Sequence, residues 1–80
     1  MTLSQAAVGQ QLLVKRTGLD PTDQLRLAEL GIRPGEQVKL LQRGVWCGLV
    51  LAVGGLRVAL DQGTARSIVV APVPAAQLGQ

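Results

Sequence analysis

The sequence contains no histidine, no phenylalanine and no tyrosine, and only one cysteine and one tryptophan. Without histidine, the commonest general base and metal ligand at neutral pH is missing. One cysteine and five scattered carboxylates do not give the ligand spacing of a zinc or iron site. No serine has a base to activate it. Neither GIRPG nor VGG carries the flanking residues of a phosphate-cradling loop. The expectation is a protein with no catalytic residues, no metal ligands and no cofactor. A lone cysteine also excludes an internal disulfide framework, and Cys47 reads as a half-buried hairpin thiol.

Long apolar runs are lacking as well. The longest apolar-rich stretch, VWCGLVLAVGGL, is broken by glycines and falls short of the roughly 18 residues of a spanning helix. No basic segment leads into an apolar one as in a secretory leader. A cytoplasmic setting without membrane insertion is therefore expected. Charge clustering is absent too. Eight basic and five acidic residues give a net charge of +3, and the basic ones stand singly or in pairs from Lys15-Arg16 to Arg66. Phosphate backbones call for a clustered patch and single strands for aromatic platforms. Trp46 is the only aromatic side chain, so nucleic-acid binding is not expected.

What remains is one small domain, since 80 residues bury only about 60% of the surface their unfolded chain exposes. In MTLSQAAVG, Leu3 and Val8 are candidates to seat on the core. QQLLVKRT alternates as a half-buried strand with Leu12 and Val14 inward. Asp20, Pro21 and Asp23 then supply a cap, a first helical position and a first-turn acid. A short helix follows, with Leu27 and Leu30 on its docking face and Leu25 and Ala28 widening the apolar side. Gly31 ends it in the left-handed conformation, Ile32 folds back on the last turn, and Pro34-Gly35 forms a type II turn.

EQVKLLQR places Val38 and Leu40 on one face, with Lys39, Leu41 and Arg43 on the other. LVLAV is apolar on both faces. Gly54-Gly55 turns the chain tightly into GGLRVAL, with Leu56, Val58 and Leu60 inward. DQGTARS reads as a turn or a single 3₁₀ turn, and SIVVAP as a closing strand. The fold predicted is mainly β: a small SH3-like barrel of five short strands with one helix between the first and second. It spans residues 1–71, and 72–80 form a disordered tail.

Order and spacing also carry a resemblance. Leu3 and Gly9, Gly18-Leu19, the helix ending LAELGIRPG, the EQVKLLQR strand, the VGGLRVAL hairpin and Ala65-x-x-Ile68 resemble the ferrous iron transport protein A (FeoA) family over residues 3–71. The resemblance implies an SH3-like barrel, free-standing and cytoplasmic. It also implies docking on the GTPase-containing cytoplasmic region of the ferrous iron permease, whose activity such proteins modulate. Similar domains stand at the C-terminus of iron-dependent repressors, but a repressor role is not expected of this sequence, which shows no DNA-binding helices before the barrel. Many members carry a proline-containing loop between the second and third strands, where this chain has GVWCG.

The function expected is thus a non-enzymatic accessory of ferrous iron uptake. Two other readings stand beside it, a direct metal-responsive sensor and an SH3-like adaptor for peptides or nucleic acid. Residues more apolar than a solvated barrel needs mark the candidate contact surface. They are Leu25 on the helix, Leu41 beside Arg43 on the second strand, and Val45 and Trp46 in the turn. Trp46 is the expected anchor, and self-association is the other use of such a surface.

Overall fold

A computed structural model describes residues 1–45 and 48–73. A 3₁₀ turn at Leu3–Gln5 precedes β1 (Gln11–Thr17), α1 (Pro21–Glu29), β2 (Gln37–Val45) and β3 (Gly48–Val53). β4 (Leu56–Asp61), α2 (Gln62–Ser67) and β5 (Ile68–Pro72) complete the chain. The strands form one antiparallel sheet in the order β4-β3-β2-β1-β5. This is the SH3-like arrangement predicted, with the helix where it was expected and the barrel not fully closed.

Leucine, valine and isoleucine fill the core in place of aromatics. Leu12 and Val14 of β1, Val38 and Leu40 of β2, and Leu49 and Leu51 of β3 are all buried, as alternation requires of the inner face. Leu3 and Ala6 enter from the N-terminal segment, and Ala65 and Ile68 from the α2–β5 junction. Val8 does not join them. It lies in the turn before β1 and is 58% exposed, and Ala6 takes the inward place.

The stretch from α1 to β2 is set by local chemistry. Asp20 Oδ1 accepts the Asp23 backbone N–H at 3.0 Å, and Pro21 opens the helix. At the other end the Ile32 N–H reaches the Leu27 carbonyl (2.9 Å) and the Gly31 N–H that of Ala28 (3.0 Å). These two bonds are a Schellman cap, with Gly31 at φ +93° and Ile32 buried. Gly35, also at φ +93°, follows Pro34, and the Glu36 N–H bonds to the Arg33 carbonyl, closing the type II turn. That turn is pinned to β1 by bonds between Gly35 and Val14 and between Val14 and Glu36.

The structure corrects several facing assignments. Leu27 docks the helix, but Leu30, at its C-cap, stays 37% exposed. In β4 only Val58 is fully inside, Leu60 is half-buried, and Leu56 is 60% exposed where the strand leaves the Gly54-Gly55 turn. The pairing of β2 with β3 shifts register between Leu40 and Gln42, and again between Arg43 and Val45. Each shift inserts an extra residue and breaks strict alternation. Arg43 thereby pairs with buried Leu49 and donates to the Ser4 carbonyl, leaving the face it was expected to share with Lys39. DQGTARS forms an α-helix of six residues, started by Asp61, whose Oδ1 accepts the Thr64 N–H at 2.7 Å. Residues 74–80 of the expected tail lie outside the described residues. Before them Pro72 ends β5, and the Val73 N–H bonds to the Gln11 carbonyl at 3.0 Å.

Candidate functional site

Leu25 sits on α1, well round the helix from buried Leu27. Two positions apart is about 200° of rotation, so a helix docked through Leu27 must present Leu25 outward, and it is 64% exposed. It lines an open groove of about 500 Å³ between α1, the end of β1 and the turn into β2. Pro21, Ala28, Ile32 and Pro34 contribute apolar surface there, and Arg16 and Arg33 line the same groove.

The groove is held by specific bonds. The Gln24 side-chain amide donates to the Thr17 carbonyl at 3.0 Å and to the Leu19 carbonyl at 2.6 Å, tying α1 to the end of β1. The pairing of β1 with β5 shifts register between Val14 and Arg16, which lets the exposed Arg16 line the groove. Arg33 meets Glu36 at 3.6 Å, with both side chains at least half exposed. Such a pair is weakly held, so Arg33 is available to an incoming carboxylate. No acidic residue lines the groove. Its chemistry is that of contact: an apolar strip flanked by two cations.

A second groove of about 220 Å³ lies between α1 and the β4–α2 junction, lined by Leu19, Leu27, Leu30 and Leu60 with Asp23, Arg26, Ala59 and Thr64. Asp61, at the start of α2, has its carboxyl held below the ordinary value of 3.8. The Thr64 backbone N–H is the main cause and the Thr64 side chain adds to it, against slight desolvation. This is capping chemistry. Among the described residues no group of three His, Cys, Asp or Glu side chains comes together as a metal site, and no helix is long and apolar enough to cross a membrane.

The sequence-predicted contact residues do not form one patch. Leu41 is half-buried beside the first register shift of β2, and Arg43 points to the N-terminal 3₁₀ turn. Neither lines the Leu25 groove. Val45 ends β2, while Trp46 and Cys47 lie outside the described residues. Sequence reasoning missed Arg16 and Arg33 as neighbours, because only the tertiary path of the chain brings positions 16 and 33 together. The nearest signal was the closed turn at Arg33-Pro34-Gly35-Glu36, which fixes where Arg33 leaves the backbone.

A family profile described as the FeoA domain matches residues 1–72. The FeoA protein of Chlorobium tepidum is similar in structure, with a TM-score of 0.86, 23% identity, and 92% of this chain and 71% of that one covered. The iron(II) transport protein A of Clostridium thermocellum gives 0.83 at 26% identity, covering 91% of this chain and 46% of that one. The FeoA of Stenotrophomonas maltophilia, solved in complex with zinc, gives 0.73 at 34% identity, with 89% of each chain covered. Comparison with curated proteins finds no match. With the profile spanning nearly all of the described chain and the overall fold of these structures shared over 92% and 89% of it, the chain belongs to the FeoA family.

Proposed function

We propose that this chain is a non-enzymatic, cytoplasmic accessory of ferrous iron uptake that docks on the GTPase-containing cytoplasmic region of the ferrous iron permease. Membership of the FeoA family over residues 1–72 carries this reading. The groove beside Leu25 supports docking, because among the described residues its lining holds an exposed leucine and two arginines and no acid, Arg33 being held only by the exposed pair with Glu36. An apolar anchor flanked by a carboxylate on the permease would fit it. Trp46, in the segment between β2 and β3, is the second candidate anchor, at a separate place on the chain.

Titration calorimetry with the permease's soluble GTPase region tests the proposal. Removing a leucine side chain that becomes buried on binding costs about 1.5 kcal/mol or more, roughly tenfold in Kd. Leu25→Ala is expected to show that loss and Arg16→Glu a similar one, with the fold intact because both residues are exposed. Unchanged affinity in Leu25→Ala together with a loss in Trp46→Ala moves the contact to the segment between β2 and β3. An absence of any binding by the wild-type chain sinks the docking reading.

A further inference from the structure

The two edges of the sheet are treated differently. The outer edge of β5 is covered: the Val70 N–H bonds to the Met1 carbonyl at 2.8 Å, and Thr2 bridges Val69. β4 pairs with β3 alone, and at Ala59 it opens onto the groove of about 220 Å³ whose far wall is α1. The two-residue turn at Gly54-Gly55 makes Val53 and Leu56 a hydrogen-bonded pair, and bonded pairs then recur at every second residue. Leu56, Val58 and Leu60 therefore bond inward to β3. The backbone N–H groups of Arg57, Ala59 and Asp61 face outward, with the carbonyls of Arg57 and Ala59. Among the described residues no backbone or side-chain group pairs with those of Arg57 and Ala59. All three side chains are exposed.

We infer that this edge pairs with the same edge of a second copy of the chain, β4 against β4 antiparallel about a two-fold axis through Ala59. The charge pattern is self-complementary in that register. Arg57 and Asp61 lie two residues either side of Ala59, so each Arg57 stands opposite the partner copy's Asp61 on the same face of the extended sheet. Asp61 caps α2 through Oδ1, and its carboxylate is exposed, with lone pairs left for the guanidinium. Position 59 must face itself across the axis, where a charged residue would meet its like; alanine is small and neutral. A register slipped by two residues forfeits both ion pairs, and one slipped by four sets Arg57 against Arg57 or Asp61 against Asp61. The aligned register also gives each Ala59 and Asp61 N–H a carbonyl acceptor across the interface, on Ala59 and Arg57.

Sedimentation equilibrium of the wild-type chain up to about 1 mM tests the inference, combined with amide hydrogen exchange at low and high concentration. A reversible dimer is expected, with the Ala59 and Asp61 amides gaining protection as concentration rises. Arg57→Glu, which faces a carboxylate with a carboxylate, is expected to weaken the dimer at least about tenfold. Ala59→Pro removes an outward N–H without touching the β3 ladder and is expected to abolish it. Lys39→Glu, the same charge change at an exposed site on β2, is the control and leaves it intact. A chain that stays monomeric at the highest concentration overturns the inference. So does a dimer indifferent to both β4 variants, or one whose protection falls elsewhere.

Discussion

Gly31 and Gly35 share a φ of +93° and differ in their surroundings, which separates backbone strain from steric conflict. A Cβ on Gly35 meets nothing within 4 Å, whereas one on Gly31 would sit 2.9 Å from Val53 Cγ1. Gly35→Ala should therefore cost only the left-handed conformation, about 1–2 kcal/mol. Gly31→Ala adds overpacking against β3, for a total of about 2–4 kcal/mol. Urea titration of both variants checks the ordering, and equal losses would show that Val53 yields without cost. The conformation of both glycines was legible in LAELGIRPG, since capping and turn chemistry are local. The contact with Val53 was not, because it joins positions 22 residues apart in the chain.

At the scale of elements, α2 depends on a single carboxylate. Asp61 has its carboxyl lowered below 3.8 by the Thr64 N–H, then by the Thr64 side chain. A group whose folded value is depressed contributes its full stabilisation above the unfolded value and loses it as pH falls through the folded one. Wild-type stability should therefore drop more steeply than that of Asp61→Asn as pH falls below the ordinary carboxyl value of 3.8. Asparagine keeps the cap while removing the charge. Equilibrium unfolding followed through that fall in pH, at concentrations where the chain is monomeric, decides it; parallel curves would show that the Thr64 bonds hold either form equally. The helix itself was read only as a turn, since Gln62-Gly63-Thr64 has weak propensity and its support comes from buried Ala65. The facing of β2 failed for a related reason. Alternation counts residues along one strand, while the register shifts that redirect Arg43 are set by what β3 offers opposite.

On the scale of the whole molecule, the core is assembled from both ends of the sequence. Leu3 is fully buried, close to Ala65 and Ile68 in a core that, among the described residues, is built without aromatic side chains. Leu3→Ala should cost about 2–5 kcal/mol, a large share of what a domain of this size holds. A matching fall in thermal midpoint checks this, while a fall near zero would mean that the N-terminal turn frays without consequence. Fold class was legible from the strand and turn rhythm, because each hairpin is specified locally. The groove at Leu25 was half legible: the helix pattern exposes the leucine, but its flanking cations come from two connections that meet only in the folded chain.

The pairing of β1 with β5 joins Leu12 to Pro72 and Thr17 to Ile68, the longest loop that any pair of named strands has to close. The β3–β4 hairpin needs only the two residues between Val53 and Leu56. Closing a distant pair costs chain entropy before any contact repays it. During synthesis the hairpin can therefore form as soon as its strands are free, while β1 waits with Leu12 and Val14 uncovered. Until β5 docks, that half-built sheet offers apolar surface to chaperones and to other unfolded chains. The interval between the two pairings is when this chain is most exposed to misassembly.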